Sequence, residues 1–293
     1  MLKNNHSHYL QTDIHTRIFF STNFKLSEYD NTRPLLVFNY GLVCSNYHWM
    51  YQLPFFEERN FQILIHDYRC HFNSTTSDGL DSCTFENMTR DLHFVLESFG
   101  ARNIHMLGHS MGVNVTLEYA KLHPEYLNSI VVISGTVIPP QDIMFDSNIV
   151  DIVSPYIKTT ADQFSSLFEQ IWKNSYKNPI ARRAILNGGF NPKKTNDEFV
   201  QIYMKKIGEL PSDLFFHLLD HMKEHDIIAH LESIKTPTLI IGGDKDKVIP
   251  NYLQKILYHY LENSELYIVK DGSHVPQVDF PESINERIER FID

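Results

Sequence analysis

A serine flanked by two glycines, where a strand pattern gives way to a helix pattern, constrains this chain more than any other feature. The apolar run of residues 104–107 leads into Gly108-His109-Ser110-Met111-Gly112, and a helical pattern begins at once. A strand that turns sharply into a helix brings backbone against backbone, so the flanking positions must be nearly free of side chains. The pattern G-x-S-x-G therefore predicts a strained turn that presents the Ser110 hydroxyl at a helix N-terminus.

Two later loops contain the partners that a serine nucleophile needs. The strand pattern of residues 239–243 ends in a loop with Asp244 and Asp246, and a later strand pattern ends in a loop with His274. A serine hydroxyl is a poor nucleophile at its own pKa, so it needs an imidazole base and a carboxylate that fixes the imidazole tautomer. The chain order serine, acid, histidine predicts Ser110, an aspartate of the first loop and His274 as catalytic residues.

These segments resemble the α/β-hydrolases, in the branch with a helical cap inserted after the sixth strand. The resemblance covers the chain from about Pro34 to the C-terminus. The family pattern Gly-x-x-Asp-x-x-x-Pro falls on Gly243, Asp246 and Pro250, which selects Asp246 over Asp244 as the acid. The resemblance implies an α/β fold, with a mostly parallel central sheet flanked by helices.

The resemblance also implies an oxyanion hole formed by the backbone N–H groups of Leu42 and Met111. The family carries His-Gly just before the first of these donors, whereas this chain has Tyr40 followed by glycine. Because both donors belong to the main chain, the loss of the histidine side chain need not destroy the hole.

The composition is that of one acidic globular domain with an insertion. The chain has 293 residues, 42% of them hydrophobic, so it can bury a large core. Its formal net charge is −10 and no basic stripe stands out, so nucleic acid is not an expected partner. The N-terminus has no apolar signal segment, and no stretch approaches the roughly 18 apolar residues that would span a bilayer. We therefore expect a cytoplasmic protein without an integral membrane segment.

The three cysteines are Cys44, Cys70 and Cys83, and Cys70 stands where the family carries glycine. An odd number of cysteines without metal-ligand spacing favours reduced thiols in a reducing compartment. Cys44 lies close to the oxyanion loop, but no partner histidine is evident from the sequence. We expect it to be a small buried apolar side chain and not a nucleophile.

Strand and helix patterns alternate along the chain, with one long interruption. Strands are predicted at residues 17–20, 35–39, 61–66 and 129–134, and Thr84 is the predicted N-cap of a helix closed by Gly100. Residues 138–226 contain helical patterns without a convincing strand, including a predicted helix over 161–172. We therefore expect a core domain of residues 1–137 and 227–293, with a helical cap of residues 138–226. The histidines at positions 6, 8 and 15 are expected in a mobile terminus without a role.

The cap is rich in large apolar side chains, and such a lining favours an acyl chain or an aromatic group over a sugar or peptide. Most of these side chains are expected to pack the cap on the core, and the others to face the substrate. The candidates for the substrate pocket are Tyr40, His109, Phe164, Phe168 and Val275.

His217, His221 and His225 recur every four residues on a predicted helix, near Asp220, and are spaced as metal ligands can be. A polar helix face is the preferred interpretation, because the motif H-E-x-x-H is absent and the resembling family needs no metal. We therefore expect neither a metal ion nor another cofactor.

A serine at the elbow argues against the dehalogenases and epoxide hydrolases of this fold, which carry an aspartate there. The leading hypothesis is a serine hydrolase that cleaves a small or medium apolar carboxylic ester through an acyl-enzyme. Rivals on the same residues are an acyl thioesterase and a carbon–carbon bond hydrolase, and a rival of another class is a non-catalytic ligand receptor. The sequence fixes neither the identity of the substrate, nor a need for a lipid interface, nor the oligomeric state.

Overall fold

The computed structural model describes residues 2–42, 44–138 and 165–293. The strands in these residues are β1 (His6–Gln11), β2 (Thr16–Thr22), β3 (Leu35–Asn39), β4 (Gln62–His66), β5 (Thr75–Thr76), β6 (Ile104–His109), β7 (Leu127–Ile133), β8 (Thr238–Gly243) and β9 (Ser264–Val269). The helices are α1 (Gln52–Glu58), α2 (Phe85–Glu97), α3 (Met111–Leu122), α4 (Ser165–Lys173), α5 (Pro179–Gly189), α6 (Asp197–Glu209), α7 (Ser212–Glu224), α8 (Tyr252–Tyr260), α9 (Pro276–Asp279) and α10 (Pro281–Ile292).

The described strands form one sheet in the order β1-β2-β4-β3-β6-β7-β8-β9, with the short β5 beside β2. The strands from β4 to β9 in this order run parallel, and β1, β2 and β5 pair antiparallel. Every residue of β3 and β4 is buried. Strands covered on both faces need apolar side chains on both, which explains their unbroken apolar runs. The predicted α/β fold, with a mostly parallel sheet flanked by helices, is confirmed.

Helices cover both faces of the sheet. Along β3, Leu35 and Val37 belong to one apolar cluster, whereas Leu36 and Phe38 belong to the other. Successive side chains of a strand point to opposite faces, so a single strand contributes to both layers. The first layer includes residues of α2, α3 and α8, and the second includes residues of α1 and α10.

Local signals located α2 accurately. The Thr84 hydroxyl accepts a hydrogen bond from the backbone N–H of Asn87 (3.2 Å), as expected of an N-cap residue. Gly100 follows the helix with a φ of 68°, a left-handed conformation that glycine adopts without steric cost. A 3₁₀ turn at Asn46–Trp49 precedes α1.

The prediction of a mobile N-terminus was wrong for His6 and His8. Both lie in β1, which pairs with β2 over its whole length, and the His8 ring stacks on Phe20 at 5.1 Å. The side chains of β1 alternate between half-buried and exposed. This period of two was the signal for an edge strand, but the polar character of the segment concealed it.

The prediction of three free thiols was also wrong. Cys70 and Cys83 form a disulfide that ties the loop after β4 to the start of α2, and Cys44 is a free, buried cysteine. The two bonded residues are separated by 13 positions, and only the folded loop brings them together.

Between β7 and β8 the described elements are all helical, and we call residues 165–226 the cap segment. The predicted helix over 161–172 appears as α4, while residues 161–164, with the candidate Phe164, lie outside the described residues. Leu214 and Leu218 of α7 belong to one apolar cluster with Tyr40 and Met111 of the core. The division into a core and a cap of residues 138–226 stays a prediction. In the parts of the chain that the structure describes, no helix is long and apolar enough to cross a membrane.

Candidate active site

The strand-to-helix turn at Ser110 is strained, as the glycine pattern predicts. Ser110 lies between β6 and α3 with a φ of 54° and a ψ of −122°. A Cβ atom on Gly108 would lie 2.5 Å from the carbonyl oxygen of Gly112, and one on Gly112 would lie 2.3 Å from that of Asn39. A Cβ at these distances would clash with backbone atoms, which cannot move aside as a flexible side chain can. Both positions therefore require glycine.

The structure brings Ser110, His274 and Asp246 into one hydrogen-bonded chain. The Ser110 Oγ lies 3.1 Å from the His274 Nε2, and the His274 Nδ1 lies 3.0 Å from the Asp246 Oδ2. Asp246 and His274 are buried, and Ser110 is half-buried. A carboxylate acceptor at Nδ1 favours the tautomer that protonates Nδ1, which leaves the Nε2 lone pair facing the hydroxyl.

Backbone donors fix the orientation of the Asp246 carboxylate. Its Oδ1 accepts hydrogen bonds from the backbone N–H groups of Val248 (2.9 Å) and Ile249 (2.8 Å), so Oδ2 faces His274. Asp244 occupies a different position, because its Oδ1 accepts from the backbone N–H of Asp271 (2.6 Å) and its side chain is 30% exposed. The geometry thus agrees with Asp246 as the partner of His274.

Asp279 was missed by the sequence analysis, yet it holds the loop that carries His274. Its Oδ2 accepts from the backbone N–H (2.7 Å) and the hydroxyl (2.6 Å) of Ser273, and its Oδ1 accepts from the Thr195 hydroxyl (2.6 Å) of the cap segment. Burial raises the pKa of the Asp279 carboxyl, and these hydrogen bonds oppose that shift. The available signal was one acidic residue in the apolar run after His274.

One predicted oxyanion donor, Met111, follows Ser110 directly, and the other, Leu42, follows Gly41, which packs against Ser110. Met111 is the first residue of α3, so its N–H has no carbonyl partner within the helix. This N–H lies at the positive end of the helix dipole. Leu42 follows Gly41, where an added Cβ would lie 2.9 Å from the Ser110 Cβ. The loop with Leu42 is therefore packed directly against the serine.

Tyr40 holds this loop in place of the family histidine. The Tyr68 hydroxyl donates to the Tyr40 carbonyl oxygen (2.9 Å), and the Tyr40 hydroxyl accepts from the backbone N–H of Tyr68 (3.3 Å). The Tyr40 side chain is fully buried in these contacts. The pair explains how the loop keeps its shape without the histidine.

Three of the predicted pocket residues have almost no accessible surface. Tyr40, His109 and Val275 are at most 1% exposed, because they pack between the sheet ends and the cap segment. These side chains do not face the solvent, and their position in a substrate pocket stays a prediction. Phe168 is half-buried beside Trp172 and stays a candidate.

His109 supports the His274 loop through the main chain. Its Nε2–H donates to the His274 carbonyl oxygen (2.9 Å), and its ring stacks on His48 with centroids 4.3 Å apart. Burial lowers the pKa of His48 to about 3 and the pKa of His109 well below its ordinary value, with smaller contributions from neighbouring imidazoles. Both rings are therefore neutral at physiological pH.

Cys44, His48 and His109 form one group that resembles a metal site in its ligand spacing. Their ligand atoms lie within 4.8 Å of one another, and the His48 Nε2 and His109 Nδ1 are buried without a hydrogen-bond partner in the described residues. A metal ion bound by imidazole lies in the plane of the ring. The two rings are stacked with an interplanar angle of only 27°, so a shared ion would require one ring to rotate.

The histidines on α7 contact the core helices. The His217 Nε2 lies 3.2 Å from the carbonyl oxygen of Cys83, and the His221 Nε2 accepts from the backbone N–H of Phe85 (3.0 Å). His225, just after the helix, lies 3.1 Å from the Glu118 carboxylate through Nε2 and 3.1 Å from the Asn114 amide through Nδ1. Glu86 and Glu118 lie within metal-binding distance of His225, but these hydrogen bonds already occupy both of its nitrogens.

We expect the His225→Ala substitution to lower the free energy of unfolding by about 1–3 kcal/mol, because it removes a hydrogen-bond partner of the buried Glu118. Denaturant unfolding measures this loss, and His259→Ala, at an exposed position on α8, is the control. EDTA should leave the wild-type transition unchanged. A destabilisation by EDTA would show instead that the histidine cluster holds a metal.

Arg69 and His71 brace the loop after β4. The Arg69 guanidinium donates two hydrogen bonds to the buried Asp91 carboxylate (2.7 and 2.8 Å). The His71 Nδ1 lies 2.9 Å from the Arg69 carbonyl oxygen. Neither side chain contacts Ser110 or His274 within the hydrogen-bond network of the described residues.

Known proteins match the chain over most of its length. It is 25% identical over 261 residues to RutD of Caulobacter sp. (strain K31), named as a carbamate hydrolase, covering 89% of this chain and 91% of that protein. It is 23% identical over 264 residues to monoacylglycerol lipase abhd6-B of Xenopus laevis, covering 85% and 72%. The structure of an esterase from Exiguobacterium antarcticum superposes with a TM-score of 0.75 at 17% identity, covering 98% and 99%. The model of the alpha/beta hydrolase fold family matches residues 34–281. The chain belongs to this family.

Proposed function

We propose that the protein is a serine hydrolase that cleaves a small or medium apolar carboxylic ester through an acyl-enzyme. The observation that carries the proposal is the chain of hydrogen bonds from Ser110 through His274 to Asp246, at 3.1 and 3.0 Å. This arrangement is the one that nucleophilic acyl transfer by serine requires. It also argues against a receptor without catalytic activity, which would not need a serine, a histidine and an aspartate joined by hydrogen bonds.

In the proposed reaction, His274 takes the hydroxyl proton while Ser110 attacks the carbonyl carbon of the ester. The N–H groups of Leu42 and Met111 stabilise the negative charge that develops on the carbonyl oxygen. His274 then gives its proton to the leaving alcohol, and the acyl group stays on Ser110. A water molecule, deprotonated by the same imidazole, attacks the acyl-enzyme. His274 returns this proton to the Ser110 Oγ as the acid leaves. Throughout, Asp246 stabilises the imidazolium and holds its orientation.

The apolar character of the substrate is inferred from the cap. We assign residues 138–226 to a cap over the active site, with Phe168 among the side chains that contact the acyl chain. Phe168, Trp172, Phe215 and Phe216 form an aromatic group in the cap segment, which supports an apolar ligand over a sugar. The relative named as a monoacylglycerol lipase is consistent with such an ester.

Carbamate hydrolysis is the second candidate, because the relative RutD is named for it. A carbamate offers the same carbonyl to the same nucleophile, so Ser110 and His274 would act in the same way. The difference lies in the leaving group and in the polarity of the pocket. Thioesters and diketones remain further substrates for the same chemistry.

A panel of substrates with one reporter tests the proposal. p-Nitrophenyl esters of increasing acyl length, a matched p-nitrophenyl carbamate and acyl-CoA thioesters should be incubated with the wild-type protein. We expect kcat/KM to be highest for an ester of short or medium chain. A preference for the carbamate would favour the second candidate, and no turnover of any substrate with tight ligand binding would favour a receptor.

The Gly41→Ala substitution should lower kcat on the order of 10²-fold, the effect of losing one oxyanion donor. The new methyl group would lie 2.9 Å from the Ser110 Cβ, so the loop with Leu42 must move away. KM should change little, because the donor acts mainly in the transition state. Gly189→Ala is the control, since its Cβ would meet no atom nearer than 3.7 Å. An unchanged kcat for Gly41→Ala would remove this loop from the oxyanion hole.

A further inference from the structure

The cap segment contains a local concentration of positive charge. Between Glu169 and Asp197 the chain has six basic residues and no acidic residue, although the whole chain has a net charge of −10. The prediction that the chain carries no basic stripe overlooked this segment. The basic residues are Lys173, Lys177, Arg182, Arg183, Lys193 and Lys194.

Most of these charges have no carboxylate partner within the described residues. Arg182 forms an ion pair with Asp197. Among the ion pairs of the described residues, none involves Lys173, Lys177 or Arg183, and these three side chains are exposed. They therefore present uncompensated positive charge to the solvent.

Large apolar side chains are exposed beside these charges. Leu167 and Ile171, four residues apart on α4, are 56% and 62% exposed, and Ile180 at the start of α5 is 78% exposed. Phe168 and Trp172 lie on the inner side of α4, against Phe216 of α7. Residues four apart share one face of a helix, so the outer face of α4 is apolar without a packing partner in the described residues.

The basic and apolar side chains lie on neighbouring elements. Only residues 174–178 separate α4 from α5, and the 3₁₀ turn Ser175–Lys177 contacts both helices. Ile180 and Arg183 line the same open groove on α5. We use the name cap docking face for the exposed apolar and basic side chains of these neighbouring elements, which are Leu167, Ile171, Lys173, Lys177, Ile180 and Arg183.

We propose that the cap docking face binds an anionic lipid surface. Exposed isoleucine and leucine side chains enter the boundary between headgroups and acyl chains, while lysine and arginine attract anionic headgroups. A nucleic acid or an acidic protein would also be attracted by the charges, but neither offers acyl chains into which the three exposed aliphatic side chains could insert. The rest of the chain is acidic. The negative charge of the lipid surface therefore attracts the basic cap segment and repels the remaining protein surface, which orients the protein.

Vesicle co-sedimentation of the full-length chain tests the proposal. The vesicles are made of ether-linked phosphatidylcholine, either pure or mixed with ether-linked phosphatidylglycerol. Ether lipids have no ester bond, so the result does not depend on the proposed hydrolysis. The wild-type protein should bind the mixed vesicles and not the pure phosphatidylcholine vesicles.

Two double substitutions separate the roles of charge and apolar surface. Lys173→Gln with Arg183→Gln should weaken binding to the mixed vesicles about 25-fold at low salt, since each basic residue near an anionic surface contributes about fivefold. Ile171→Asp with Ile180→Asp should also weaken vesicle binding. The controls are Arg90→Gln with Lys255→Gln, both exposed on core helices, and Ile14→Asp, which is 87% exposed outside the cap.

The outcomes distinguish the occupants of this surface. Loss of binding in both double variants, with unchanged binding in the controls and unchanged hydrolysis of a soluble ester, supports the proposal. Equal binding of the wild type to pure phosphatidylcholine overturns it. The proposal is also overturned if only Lys173→Gln with Arg183→Gln loses vesicle binding and the wild-type protein binds heparin. That result would identify an acidic macromolecule as the partner.

Discussion

The Ser110→Ala substitution is expected to abolish turnover, with a fall in kcat on the order of 10⁶-fold. Without the hydroxyl no acyl-enzyme can form, and only binding and the oxyanion donors remain. The fold should survive, because alanine keeps the Cβ that packs on Gly41 and removes one half-buried oxygen. A fluorophosphonate probe should label the wild-type protein and not the variant, as intact-mass spectrometry can show.

Ser134 offers a closely matched control for this experiment. It follows β7, the neighbour of β6 in the sheet, and also has a positive φ, of 48°. Its hydroxyl is buried and has no hydrogen-bond partner among the described residues. Ser134→Ala should therefore keep both labelling and turnover. Labelling that persists in Ser110→Ala would assign the reactive hydroxyl to another residue.

The Asp246→Asn substitution should lower kcat on the order of 10⁴-fold, as the same change does in the triad of the serine proteases. The Val248 and Ile249 N–H groups hold Oδ1, so the new amide nitrogen would face His274. An amide donor at this position requires an unprotonated Nδ1 and moves the ring proton to Nε2. The imidazole then cannot accept the proton of Ser110.

Asp244→Asn is the matched control, because Asp244 lies two residues away and contacts a different loop. Its carboxylate accepts from the Asp271 backbone N–H, and the amide oxygen of asparagine can accept the same bond. We expect kcat to change less than about tenfold, because one surface hydrogen bond contributes a free energy that corresponds to a factor of this size at most. If Asp244→Asn proved the more damaging change, the proposed role of Asp246 would be wrong.

The features that the sequence predicted correctly are encoded within a few consecutive residues. The apolar run of β3, the Thr84 cap and the glycine spacing around Ser110 each reflect the local backbone that the residues must adopt. Strands buried on both faces need apolar runs, and a tight turn needs small neighbours. These signals identify the strands and the serine without knowledge of any distant contact.

Partners far apart in the chain were harder to predict. Ser110 and His274 are separated by 164 residues, and their proximity was expected only from the partners that a serine nucleophile needs and from the resemblance to a family. Asp279 was missed because its role depends on Ser273 and on Thr195, which is 84 residues away. A hydrogen bond between such residues leaves no periodic pattern in the sequence.

The sequence by itself determined the apolar strands and the strained serine turn, because each depends on local backbone geometry. The parallel sheet was expected from the resemblance to a family. The tertiary structure decided which side chains are available for contact. It buried Tyr40, His109 and Val275, paired Cys70 with Cys83 and added β1 to the sheet edge. Burial and pairing depend on the elements that pack against a residue, and those elements come from distant parts of the chain.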